Sequence, residues 1–205
     1  MRNAHFVKIS GILFTLSALL YVGASIMLGN RAIYAWLGLW ATVLLALSLW
    51  GVYDFLKIEG NQTSLKLGIS AMLTGLIFLF GIYTAAFLTD TFDQVESFAQ
   101  PVLDTTDAVF ETLNLVVILI GALLTYGVSP ALLAHSGLRA SMVPRWLSWM
   151  GLVGGLYSLL WAGWGWFISP DNMFILLPGV FLVYLWQVLF GVVMIRFKEK
   201  EASHE

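Results

Sequence analysis

Two amides and a phenol are the groups best placed to meet a ligand. Gln187 follows Trp186 in the middle of one apolar run, and Asn114 and Tyr126 stand in another. A side-chain amide carries two donors and an acceptor, so among apolar residues it must find a helix, a ligand or trapped water. Asn114, Tyr126, Trp186 and Gln187 therefore make up the candidate ligand-binding set, the polar lining of a pocket. The plainer alternative is that Gln187 and Asn114 clamp helices together. Asn114, Tyr126 or a carbonyl freed near Pro130 would then be the partner of Gln187. Pro130 is also expected to kink the helix that carries it.

The carboxylates suggest a second chemistry. Asp104, Asp107 and Glu111 recur at helical spacing and would place three oxygen ligands on one face, a pattern able to hold Ca²⁺. The segment lacks the glycine and carbonyl ligands of a dedicated calcium loop, so a solvated acidic face is the expected reading. A third set, His5, Asp54, His135 and Arg145, is expected near the inner surface as a polar cluster. His5 and His135 are the two histidines positioned to ligate a haem together, since His204 lies in the tail. A three-histidine zinc centre would have to recruit that tail or a carboxylate. Asp54 is expected to pair with Lys57, three residues on. These patterns call for no cofactor and no metal. The sequence also displays no Ser/His/Asp arrangement and no phosphate-cradling glycine loop.

The elements that carry these residues follow from composition. Of 205 residues, 60% are hydrophobic and 11% charged, whereas soluble domains carry about 25% charged residues. So little charge suits a surface that faces lipid. Cysteine is absent, which excludes disulfides, thiolate catalysis and cysteine metal sites. The bases are too few and too scattered for nucleic acid. A helix needs about 20 apolar residues to cross a hydrocarbon core of about 30 Å. Six segments qualify, at about 6–28, 33–56, 65–89, 110–133, 146–168 and 173–196, separated on one side by an outer loop at 90–109. The expected fold is an all-α integral membrane protein, a single domain built as a bundle of six transmembrane helices.

Nine of the ten bases flank one side of these spans, and Arg31 alone lies on the other. The gap from 67 to 138 holds no Lys or Arg, and its outer part carries Asp90, Asp93, Glu96, Asp104, Asp107 and Glu111. The positive-inside rule then places both termini in the cytoplasm. Arg2, Lys8 and Val22-Gly23-Ala24 imitate a signal peptide, but the apolar run continues to Leu28, so the segment is read as an uncleaved span. Trp36 and Trp40 mark the outer end of the second span, and Trp146 and Trp149 the inner end of the fifth. Gly151 and Gly155 form a small-residue step in that span, as Ala71 and Gly75 do in the third, suited to packing within the chain or to a homodimer seam. The first and last hairpins share Gly11 with Gly151, Gly23 with Gly163 and Gly51 with Gly191 at a constant offset, a faint internal repeat.

The run Ser141-Met142-Val143-Pro144-Arg145-Trp146-Leu147, followed by Gly151 and Gly154-Gly155, resembles an uncharacterised family of bacterial multi-span membrane proteins with a P-R-W-L motif before a glycine-rich span. The resemblance covers the last third of the chain and implies membrane location and fold. It does not extend to the last span, where the family's acidic residue followed by tryptophan is replaced by Trp186-Gln187. By its own chemistry the motif opens a helix, because Pro144 lacks an N–H that the first turn would leave unpaired.

These features lead to the expectation of a non-catalytic binding or accessory protein in the bacterial inner membrane. Its partners would be the lipid bilayer, a lipid-like or small apolar ligand, a membrane protein or a second copy of the chain. The alternatives are a small-solute transporter or channel, and an intramembrane enzyme or haem protein using His5 and His135.

Overall fold

The computed structural model describes residues 4–27, 29–57, 61–93, 119–168 and 177–197, with side chains omitted at 31, 88–93, 161–168 and 177. Asn114 and the Asp104, Asp107 and Glu111 face lie outside the described residues. Among the described residues the only regular structure is helical: α1 (Ala4–Ile26), α2 (Arg31–Leu56), α3 (Gln62–Asp93), α4 (Leu119–Gly137), α5 (Arg145–Ile168) and α6 (Leu177–Ile195). Five of them, α1 to α4 and α6, are long and apolar enough to cross a membrane. In hydrocarbon a helix satisfies its own backbone, which is why apolar runs of this length settle as helices.

The ends of the helices have local causes. Asn30 caps α2, its side-chain oxygen accepting from the Ile33 N–H at 3.1 Å. Asn61 does the same for α3, accepting from Thr63 and Ser64. At the other end α3 runs on through Asp93, so residues 90–93 extend the helix where the outer loop was expected to begin. Hydropathy marks the limit of the hydrocarbon, and nothing obliges a helix to stop there. Instead of a simple proline kink, α4 has a π-helical turn over Leu123–Val128, in which the Ser129 N–H reaches the Leu124 carbonyl. Pro130 explains it: the ring has no N–H and clashes with the carbonyl four residues back, and widening the preceding turn relieves both problems.

The helices pack in chain order, α1 on α2 through to α5 on α6, and α6 returns against α1 to close a ring. Every seam is antiparallel. Gly51 lies over Ser10 and Gly38 over Tyr83; Gly75 lies over Thr125, Gly155 over Ala131 and Gly151 over Trp186. On the closing seam Gly11 and Gly191 face each other, and a Cβ on either would stand 2.7 Å from the other's carbonyl oxygen. Small residues permit this approach, which replaces the hydrophobic drive that lipid removes. Gly151 meets α6 while Gly155 meets α4, so the step on α5 is consumed within one chain. The glycines of the faint repeat occupy unlike seams: Gly51 packs on α1 from α2, but its counterpart Gly191 also packs on α1 and not on α5.

This arrangement brings the start of α1 and the end of α6 to one end of the ring, together with Lys8, Lys57, Lys66, Arg139, Arg145 and Arg196. The outward surface is apolar and includes Trp36, Trp40, Trp50, Trp146 and Trp149.

Candidate functional site

The centre of the ring is filled by aromatic side chains. In the half away from the basic end, Tyr21 of α1 is the hub, with ring centroids 6.0 Å from Tyr126 of α4, 6.0 Å from Tyr184 of α6 and 6.4 Å from Tyr83 of α3. Tyr126 and Tyr184 meet edge-on at 5.5 Å, and Tyr34 of α2 adds a fifth ring at 5.3 Å from Tyr83. Their hydroxyls find partners inside the protein. Tyr21 shares a 2.9 Å hydrogen bond with Thr42, whose hydroxyl donates to the Gly38 carbonyl. Tyr34 pairs with Tyr83, and Tyr184 with Tyr126 and Ser25. A phenol suits such a place because its ring fills apolar volume while its hydroxyl needs one polar neighbour.

Towards the basic end the filling turns apolar. Phe14 packs edge-on against Trp186 at 6.0 Å, Trp186 lies 5.3 Å from Phe190, and Phe190 meets Phe55 at 5.8 Å. The edge of Trp186 bearing Nε1 rests in the notch left by Gly151, and this indole N–H has no partner.

Among the described residues the hydrogen bonds of Gln187 run to α1 and not to Tyr126. It is buried on the seam between α6 and α1, and its Nε2 donates to the Phe14 carbonyl at 3.1 Å and to the Ser17 hydroxyl at 2.6 Å. Ser17 in turn donates to the same carbonyl at 2.8 Å. Near Pro130 the partner is different again: the Ser129 hydroxyl donates to the Gly68 carbonyl of α3 at 2.9 Å. Of the candidate ligand set, then, Tyr126 belongs to the tyrosine cluster, while Trp186 and Gln187 belong to the lower core and the closing seam. Gln187→Leu removes two hydrogen bonds and is expected to lower stability in detergent by ~0.6–2 kcal/mol. An unchanged melting temperature combined with loss of a bound molecule would make Gln187 a ligand contact and not a clamp.

The inner-side set divides in the same way. Asp54 forms an ion pair with Lys57. His135 accepts or donates through Nδ1 to the Ser64 hydroxyl at 2.9 Å, joining α4 to α3. His5 and Arg145 are exposed. Among the described residues no group of three His, Asp or Glu side chains stands close enough to hold a metal ion.

Sequence reasoning missed Ser64 and four of the five clustered tyrosines. Serine beside histidine has the form of a nucleophile with its base. Its surroundings oppose that chemistry: Ser64 is buried, and the Thr63 and Ser64 N–H groups that would hold an oxyanion are occupied by Asn61. The clustered tyrosines could not be told from interfacial ones by spacing, because both types stand near the ends of spans.

Compared with protein-family models, curated proteins and solved structures, the chain matches none.

Proposed function

We propose that the chain is a six-span protein of the bacterial cytoplasmic membrane, with both termini inside, acting as a non-catalytic binding or accessory protein for a lipid-like ligand or membrane partner. The observation that carries this reading is the filled axis. From Tyr34 and Tyr83 through Tyr21, Tyr126 and Tyr184, and then from Phe14 through Trp186 and Phe190 to Phe55, rings from five helices pack against one another. A transport route would need water-accessible polar groups along such an axis. Here the tyrosine hydroxyls and Gln187 are paired with neighbouring helices. What the ring offers its surroundings is its outward apolar surface.

Two measurements test this reading. Proteoliposomes containing the purified chain are expected to pass protons, potassium and small neutral solutes no faster than protein-free vesicles. Protein-dependent flux would replace binding with transport. Since the chain has no native cysteine, single cysteines report sidedness directly. An impermeant thiol reagent applied outside intact cells is expected to label Ser97→Cys and to spare Ser141→Cys until the membrane is broken. The reverse pattern would invert the topology.

A further inference from the structure

We propose that the corner between α4 and α5 binds the phosphate of one anionic phospholipid, whose acyl chains lie along the outward stripe of α5. The proposal rests on the membrane location in the reading above and is independent of the filled axis.

Arg139 and Arg145 stand at the two ends of the connecting turn, and both are exposed. Among the described residues neither has a carboxylate partner; the ion pair found there is Lys57 with Asp54. The turn that presents them is held by its own backbone. The Arg139 N–H donates to the Ser136 carbonyl at 3.3 Å, Ala140 to Gly137 at 3.0 Å and Val143 to Ala140 at 3.2 Å. The side chains of Ala140, Val143 and Leu147 are buried beneath it and anchor it to the ring. Two exposed guanidinium groups are thus borne on a fixed base at the basic end of the ring. Guanidinium forks match phosphate oxygens in pairs, where an ammonium acts as a point charge.

The apolar half of the site starts at the adjacent residue. Trp146, Trp149, Val153, Leu156 and Leu160 are 60%, 55%, 52%, 44% and 68% exposed. Steps of three and four residues place them on one face of α5, a stripe about 21 Å long at 1.5 Å per residue. Headgroup charge, interfacial indoles and an aliphatic track follow one another in the order in which a phospholipid presents phosphate, glycerol and acyl chain. Other exposed bases lack the paired guanidiniums and the indoles: Lys66 is a single ammonium heading an apolar face of α3 with Leu73, Ile77 and Phe80, and Arg196 follows the last turn of α6. A soluble phosphate would use the two arginines but not the stripe.

The test uses the full chain in a zwitterionic detergent, with native mass spectrometry reading bound lipid during titration with phosphatidylglycerol or phosphatidylcholine. One phosphatidylglycerol is expected to bind on the order of tenfold more tightly than phosphatidylcholine. The Arg139→Gln/Arg145→Gln variant is expected to lose this preference with an unchanged melting temperature, since both side chains are exposed. Lys66→Gln/Arg196→Gln is expected to retain it. Retention by the first variant, or equal loss in the second, would overturn the site in favour of a diffuse basic field. Displacement of the lipid by millimolar inorganic phosphate would overturn it in favour of a soluble anion. Alkaline carbonate washing of membranes separates the two levels: a chain that washes off refutes the membrane reading itself, whereas one that stays but shows no lipid preference refutes this site alone.

Discussion

Gly155→Leu is expected to leave little or no recoverable folded protein, whereas Gly81→Leu is expected to behave like the parent. A Cβ at Gly155 would stand 2.7 Å from both the Ala131 nitrogen and the Gly127 carbonyl oxygen of α4. Both are backbone atoms, held by the π turn and the helix that follows it, so no side chain can swing aside. The whole of α5 would have to withdraw, which also lifts Gly151 from Trp186 and Gly154 from Val183. Overpacking one contact typically costs ~1–3 kcal/mol, and here two seams open together, so the upper part of that range is a floor. At Gly81 no described residue lies within 4 Å of the added carbon. Thermal unfolding in detergent checks the pair, and similar melting temperatures would remove the argument that backbone approach holds α5 in the ring.

Tyr21→Ala is expected to cost ~3–5 kcal/mol, the range for removing a large buried ring. Tyr21 is 1% exposed and touches three of the other clustered tyrosines, so the gap borders α3, α4 and α6 at once. Tyr21→Phe keeps the ring and forfeits the bond to Thr42, which keeps its own bond to the Gly38 carbonyl. Its expected cost is ~0.6 kcal/mol, the average for such bonds in a membrane bundle. A large difference between alanine and phenylalanine means that the axis is held by ring packing; equal losses would mean that the hydroxyl network dominates. Proteoliposomes carrying the alanine variant add a functional readout. If Tyr21 closes the axis, proton leak is expected to appear in that variant and not in Tyr21→Phe.

Residue composition was enough to settle the helical membrane-type character of the chain. Long apolar runs have one way to satisfy their backbones in lipid, and that way depends on no partner. Local chemistry marks some helix starts in the sequence, as Pro144 does before α5. Other limits have no such mark: α3 continues past its apolar run as far as Asp93. The ion pair of Asp54 with Lys57 was legible for the same local reason, being three residues apart on one helix.

Which buried groups meet was decided by tertiary structure alone. Gln187 announces from sequence that it needs a partner, but Ser17 and the Phe14 carbonyl lie at the far end of the chain and become neighbours only when α6 closes on α1. Ser64 reaches His135 because α3 and α4 run antiparallel, although 71 positions separate them. The tyrosines of α1, α2, α3, α4 and α6 have no common spacing in the sequence. They converge because ring closure turns one face of each helix inward, and because the π turn forced by Pro130 sets the direction of Tyr126. A single helix states how much polarity it must hide; only the packing of six decides against what.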